Sequence, residues 1–235
     1  MDQETISRFL AEGCNLEGRI VQEGATIREI SKHGYEREWL DLRLILTASL
    51  NHMMDIRSGI PGKTNDSISH RLILIVGYMQ GISHTESLIS EGQYIKAAAC
   101  LKQDYEIITR IHEIKKGVDK PKITPNVKHA PKGSQRFYGE LNDISHPSNI
   151  NILLDLVHYT ENGEIKMVSP IPHYVAEISR GLYLLHIWTM YEIFREEIQL
   201  KEELYDDIGD ELDFAKQQFV TCHEMMIKSG FEIVD

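Results

Sequence analysis

The sequence predicts an all-α protein, a helical bundle of about six to eight helices with a small β-hairpin insertion near residues 151–169. Three observations support this fold class. Apolar residues recur at helical spacing along most of the 235 residues. Glycine and proline divide the chain into segments of helical length. One short segment, Glu161–Glu164, reads Glu-Asn-Gly-Glu, which is typical of a tight hairpin turn. We expect a single helical domain over residues 1–235.

Residues 93–116 form the most regular helical segment. Apolar side chains recur there at alternating spacings of four and three, which places them on one face of an α-helix: Tyr94, Ala98, Leu101, Tyr105 and Ile108. Charged side chains follow the same period on another face: Lys102, Glu106, Arg110 and Glu113. Glu106 precedes Arg110 by four residues, the favourable order for a helical ion pair. This face is either a solvated surface or, where it lines a cleft, a grip for an anion or phosphate.

Further helices are expected on both sides of this segment. Gly92 separates it from the preceding helix, so the two should form a helical hairpin. The aromatic run from Tyr183 to Phe194 indicates a helix at the centre of the bundle or in a dimer interface. The other helices are expected over residues 4–33 (one or two helices), Tyr35–Arg57, Ser67–Ser90, Ser134–Ser145, Pro172–Leu204, and from Asp206 or Asp207 to Ser229.

Two segments interrupt the helical pattern. Residues 117–133 are rich in proline and lysine, so we expect a mobile loop there, the chain's only local basic cluster. Farther along, Asn151–Tyr159 and Ile165–Val168 flank the turn signal and are predicted as the two strands of the hairpin. A short helix over residues 150–158 is the competing prediction.

Charge and cysteine content exclude several classes of protein. The net charge of −11 argues against broad electrostatic capture of RNA or DNA. Three widely spaced cysteines without a Cys-x-x-Cys pair indicate neither a disulfide framework nor a cysteine zinc site, and a reducing cytoplasm fits best. The N-terminus does not resemble a signal peptide. The longest apolar-rich stretch, Leu72–Met79, is too short to cross a bilayer. No metal or cofactor motif is present, so neither is expected.

A second group of polar residues follows the loop, in the segment that ends at Pro147. Its candidate binding residues are Arg136, Tyr138, Asp143 and His146. His146 could act as a general acid or base, with Asp143 fixing its tautomer. A histidine at the C-terminal end of a helix is also favoured by the helix dipole, which is a sufficient structural reason for its position.

The segment LISEGQYIKAAACLKQDYEIITRIHEI, followed by YGELNDISHPS, resembles uncharacterised all-helical prokaryotic proteins related to the HEPN superfamily. The resemblance covers about residues 84–148. It consists of a helix with small residues and an Arg-x3-Glu step, followed by a Tyr-x2-Leu-Ser/Asn-x3-His-like segment. Lys102 stands where that pattern prefers arginine. The resemblance implies a helical homodimer in a toxin–antitoxin or phage-defence setting, and some of these proteins are ribonucleases.

Two functions follow as hypotheses. The first is a HEPN-like binding module that recognises a protein partner or a nucleotide-like anion through Lys102, Glu106, Arg110 and the Arg136–His146 segment. The second is a metal-independent ribonuclease, which acts as a dimer and needs arginine and histidine separated by four to six residues. The sequence offers two such pairs, Arg28 with His33 and Arg180 with His186, and His146 is a further catalytic candidate. Whether the chain is an enzyme stays open.

Overall fold

The computed structural model describes residues 2–146, 148–161 and 164–231, with the backbone alone for 158–167. The described residues form eight α-helices and two short strands. In chain order these are α1 Gln3–Gly34, α2 Arg37–Asp55, α3 Asp66–Ser90, α4 Tyr94–Lys115, α5 Gln135–Ser145, α6 Ile150–Val157, β1 His158–Glu161, β2 Glu164–Val168, α7 Ala176–Leu204 and α8 Gly209–Lys228. The all-α bundle predicted from the sequence is confirmed.

Helix α7 lies at the centre of the bundle, in contact with α1, α2, α3, α4 and α8. It is surrounded by other helices because its sequence is apolar on nearly every side between Leu182 and Phe194. The aromatic side chains of this run are all buried within the chain: Tyr183, Trp188, Tyr191 and Phe194. This aromatic run is therefore core, which was one of its two predicted roles.

The apolar faces predicted for the second and fourth helices are the faces that pack. Leu42, Leu46, Leu50 and Met53 of α2 are each fully buried against α7 and its neighbours. The predicted face of α4, from Tyr94 to Ile108, is also buried. Helices α3 and α4 pack against each other across a three-residue connection in which Gly92 has a φ of +79°. A positive φ is accessible to glycine at little steric cost, which permits this sharp reversal.

The segment predicted as a β-hairpin insertion over 151–169 is not supported as such, because its first strand is mostly helical. Ile150–Val157 forms α6, in agreement with the competing prediction of a short helix. Its leucine and isoleucine side chains recur at three- and four-residue spacing, and this helical period outweighs the β-branched composition.

A short two-stranded antiparallel ladder follows α6. His158 lies opposite Val168 in this ladder, and Glu161 lies opposite Glu164. The central residues of the predicted turn, Asn162 and Gly163, lie outside the described residues.

Side chains of helix α4 form hydrogen bonds with the backbone of the loop at 117–133. Arg110 donates hydrogen bonds from its guanidinium to the carbonyl oxygens of Lys120 and Ile123. The backbone N–H of Asn126 donates to a carboxylate oxygen of the buried Glu113 over 2.7 Å. These bonds fix the path of a segment whose own side chains bury little apolar surface.

Two predicted helix boundaries are wrong. Helix α7 begins at Ala176 rather than at Pro172, because Val175 is the last residue with extended backbone. Helix α8 begins at Gly209, and Asp206 and Asp207 do not cap it. Both carboxylates instead form ion pairs with side chains from the α2–α3 connection, Lys63 and Arg57.

Two further properties concern the described part of the chain as a whole. None of its helices is both long enough and apolar enough to cross a membrane. No group of three or more His, Cys, Asp or Glu side chains within these ranges is arranged to hold a metal ion.

Substitution of Leu46 by alanine tests the central position of α2. Leu46 is 0% exposed, so its removal should leave a cavity and lower the free energy of unfolding by about 2–5 kcal/mol. Leu44 is 61% exposed on the same helix, and Leu44→Ala should change the free energy of unfolding by less than about 0.5 kcal/mol. Urea denaturation measures both values. Equal effects of the two substitutions would contradict this arrangement of α2.

Candidate functional site

The two segments that carry the predicted binding residues lie side by side, as α4 and α5. The Tyr138 hydroxyl donates to Glu106 over 3.0 Å, and Lys102 Nζ donates to Asn142 over 2.9 Å. The Lys102 ammonium also lies 5.2 Å from the centre of the Tyr138 ring, a cation–π distance. These contacts form a polar seam between α4 and α5. Asn142 belongs to it as well; it is the Asn of the Tyr-x2-Leu-Ser/Asn-x3-His-like segment but was not among the predicted binding residues.

Arg110 is not part of this seam. Its guanidinium forms an ion pair with Glu113 over 2.8 Å and binds loop carbonyls, so the predicted pair with Glu106 is not formed. The reason is the loop at 117–133, which returns over the end of α4 and offers carbonyl acceptors to the guanidinium. Arg110 therefore has a structural role in the described chain.

His146 and Asp143 are also separate from the seam. Both are exposed, and His146 lies two helical turns from Tyr138, or about 12 Å along α5. The Nδ1 atom of His146 accepts from the backbone N–H of Ser148 over 3.3 Å, with the Ser148 hydroxyl at 2.8 Å. Both contacts engage Nδ1, and Asp143 makes no hydrogen bond with the ring among the described residues.

The first arginine–histidine pair holds α1 in place. Arg28 forms an ion pair with Glu91 in the α3–α4 connection. His33 is exposed, and its Nδ1 lies 2.7 Å from the carbonyl oxygen of Glu29 on the same helix. Arg28 thus has a structural partner, and His33 faces solvent on the last turn of α1.

The second pair is divided between the surface and the core. Arg180 donates to the Gly34 carbonyl oxygen and to Glu36, each over 3.1 Å, at the end of α1. His186 is 0% exposed, and neither ring nitrogen has a hydrogen-bond partner among the described residues. Burial, together with the nearby Arg43, lowers the pKa of His186 to about 3. The imidazole is neutral at pH 7 and does not share an open cleft with Arg180.

A cavity of about 510 Å³ lies on the other flank of α5, between α5, α7 and the end of α8. This volume is within the range typical of small-molecule sites. Phe137 and Trp188 form one wall, with ring centres 5.5 Å apart at 63°. Other apolar side chains complete the walls: Leu141, Ile144, Ile178 and Leu185. Gly181 leaves part of the α7 wall open, because a Cβ atom built there would meet nothing within 4 Å.

The polar groups of the cavity differ in depth. Lys132 and Arg136 are exposed and lie at its mouth, and neither has a carboxylate partner among the described residues. Glu140 and Glu177 are exposed there as well. At depth, Glu192 is 2% exposed and paired with Arg195, and burial raises the pKa of Glu192. A ligand inside would meet aromatic surface and one buried carboxylate, with two cations and two carboxylates at the entrance.

Helix α7 carries other buried charges that the sequence did not indicate. The Glu196 carboxylate lies 2.8 Å from Lys115 Nζ and 3.1 Å from His112 Nε2, both on α4. Burial alone would raise its pKa, but these partners hold the pKa of Glu196 at about 2. Its neighbour Glu197 is also 2% exposed and has one carboxylate oxygen without a partner among the described residues. Burial raises the pKa of Glu197 to about 8.

Among the predicted binding residues, only Arg136 lines the cavity. Lys132, Trp188 and Glu192 were missed, because each belongs to a segment with a sufficient structural explanation: a loop for Lys132, and the aromatic core stripe of α7 for Trp188 and Glu192. The signal that could have indicated them is the break in that core stripe at Gly181, where a central helix has no side chain. Comparisons of the chain with family models, with curated proteins and with solved structures found no match.

Replacement of Glu197 by glutamine tests the buried carboxylate. The folded-state pKa of about 8 lies above the unfolded value of 4.5. The protonated form therefore favours folding, and this contribution is lost as pH rises toward 8. The unfolding free energy of Glu197→Gln minus that of the wild type should therefore rise by about 1–3 kcal/mol from pH 5 to pH 8. Urea denaturation at both pH values measures this difference.

Glu196→Gln is the matched control, since it removes one partner of a buried ion pair. This variant should lose about 3 kcal/mol at pH 7 instead of gaining stability. If the free energy of unfolding of Glu197→Gln changed with pH in parallel with that of the wild type from pH 5 to pH 8, the inference that Glu197 is buried in its neutral form would be contradicted.

Proposed function

We propose that this chain is a helical binding module that holds a small aromatic anion, of nucleotide type, in the cavity between α5 and α7. One observation carries the proposal, namely that the Phe137–Trp188 wall lines the same cavity as Lys132 and Arg136, two cations without a carboxylate partner among the described residues. The Arg136 guanidinium lies 5.2 Å from the centre of the Phe137 ring. A flat ring system would lie against the aromatic wall, and its anionic group would bind at the mouth.

The aromatic wall supports a ligand with a flat ring. Stacking of a base on an aromatic side chain contributes about 1–3 kcal/mol and tolerates every base, because each has a π face. Glu192 adds an acceptor at depth, which suits the ring N–H and amino groups that nucleobases carry. A purely aliphatic ligand would offer this carboxylate no donor beyond Arg195, which already pairs with it.

The cations at the mouth support an anionic group on that ligand. Arginine presents a planar fork to phosphate or carboxylate oxygens, and lysine acts as a mobile point charge. The net charge of −11 disfavours a long polyanion such as RNA. A mononucleotide-sized anion needs only local contacts, and at the mouth Lys132 and Arg136 balance the charges of the exposed Glu140 and Glu177.

A HEPN-like kinship in a toxin–antitoxin or phage-defence setting belongs to the same proposal. It draws support from the contact between α4 and α5, the helices that carry most of the resembling residues. The ribonuclease alternative draws less support, because His186 is sealed in the core and the guanidinium groups of Arg28 and Arg180 are engaged by Glu91 and Glu36.

Filling the cavity tests the proposal. Gly181→Leu places a side chain in the open part of the α7 wall, where a Cβ atom would meet nothing within 4 Å. It should weaken the binding of nucleoside monophosphates at least about tenfold, equivalent to 1.4 kcal/mol. Gly139→Leu is the matched control, since Gly139 is an exposed helical glycine with equally open surroundings that does not line the cavity. Isothermal titration calorimetry with AMP, GMP, CMP and UMP measures the affinities.

Removal of the cations at the cavity mouth distinguishes the contribution of the ligand's ring from that of its anionic group. Arg136→Ala and Lys132→Ala should each weaken nucleotide binding about tenfold, as expected for a hydrogen bond to a charged group, and leave nucleoside binding unchanged. Lys128→Ala, an exposed lysine outside the cavity, should change neither. The absence of binding by all four nucleotides, or equal losses in the Gly181 and Gly139 variants, would overturn the proposed function.

A further inference from the structure

The first part of α1 extends away from the bundle as an arm over residues 3–22. Every side chain in this arm is exposed except those of Ile6 and Ile20, which are half-buried. A helix of about 20 residues spans roughly 30 Å. The arm nonetheless carries large apolar side chains, including Phe9, which is 72% exposed.

These apolar residues continue the face by which the rest of α1 packs. Gly24, Ile27 and Ser31 are buried against the bundle, where the Ser31 hydroxyl donates to the Ser90 carbonyl oxygen over 3.1 Å. Counting back from Gly24 in steps of three and four residues, the same face carries Ile20, Leu16, Gly13, Phe9 and Ile6. An apolar stripe with this spacing is the seam of a two-helix coiled coil.

Two glycines weaken the arm as an isolated helix. A Cβ atom at Gly13 or Gly18 would meet nothing within 4 Å, so no contact among the described residues requires glycine there. Interior glycine disfavours an isolated helix in water, and long helices derive most of their stability from a packed face. Gly13 lies on the stripe itself, where the missing side chain would admit a large residue from a partner.

We propose that the arm pairs antiparallel with the arm of a second copy of this chain, about a two-fold axis between residues 14 and 15. This register places Leu16 of each copy against Gly13 of the other and Phe9 against Ile20. The two contact surfaces are identical, as a two-fold interface requires. The proposal is independent of the ligand cavity.

The charged residues that flank the stripe favour antiparallel over parallel pairing of the two arms. Glu12 and Arg19 lie on one flank of the stripe, and the antiparallel register brings Glu12 of each copy beside Arg19 of the other. A parallel pair would instead place Glu12 beside Glu17 of the second copy, where like charges repel. Cys14, an exposed cysteine, lies within one residue of the two-fold axis and so comes close to its own counterpart.

Sedimentation equilibrium on the full chain tests this pairing. The wild type should dimerise, and Leu16→Asp should weaken the dimer at least about tenfold, because it buries an unpaired charge in the seam. Ala11→Asp, on the opposite face of the same arm, is the matched control and should leave dimerisation unchanged. Glu12→Arg and Arg19→Glu should each weaken the dimer, and the double variant should restore it.

A bismaleimide crosslinker provides a second readout. It should yield a covalent dimer of the wild type but not of Cys14→Ser, because Cys222 is buried and Cys100 is partly buried on α4. A monomer at all concentrations would overturn the proposal. So would a dimer that is insensitive to Leu16→Asp, or one that Glu12→Arg strengthens, since the last result would indicate parallel arms.

Discussion

The structure depends on the burial of charged groups of α7 inside a helical bundle. Because α7 is surrounded on nearly every side, each charged side chain on it needs a partner or must become neutral. Glu196 has partners, since Lys115 and His112 of α4 hold it as a carboxylate. Glu197 lacks a full set, and burial raises its pKa to about 8. Together these groups fix how α4 and α7 lie against each other.

The candidate site is a consequence of this frame. Helix α5 is short and is held on α4 by the Tyr138–Glu106 and Lys102–Asn142 hydrogen bonds. Its position is thus set from the α4 side, while Gly181 leaves space on the α7 side. The cavity is the gap between two elements whose distance is determined by contacts elsewhere. The polar seam between α4 and α5 was predicted from the sequence as a binding site. In the structure it holds in place the helix that lines the candidate cavity.

The sequence was sufficient to predict the parts of the fold that depend on apolar period. The buried faces of α2 and α4 follow directly from spacings of three and four, and the helical period of Ile150–Val157 was visible as an alternative to a strand. The site was less accessible. Arg110 and His146 are bound by a loop carbonyl and a nearby serine, partners that only the path of the chain determines. A cavity depends on what is missing between helices, and the missing side chain at Gly181 indicates one only once the neighbouring helices are placed.

The central claim is that the cavity beside Trp188 receives a flat anionic ligand. Fluorescence of the Trp39→Phe variant tests it most directly, since Trp188 is then the chain's single tryptophan. Trp39 lies outside the cavity, stacked under Arg180 at 4.9 Å, so its replacement leaves the site intact. We expect saturable quenching or a spectral shift of Trp188 on titration with a nucleoside monophosphate, because the base would lie on the indole ring. An emission spectrum that stays constant across the titration would contradict it.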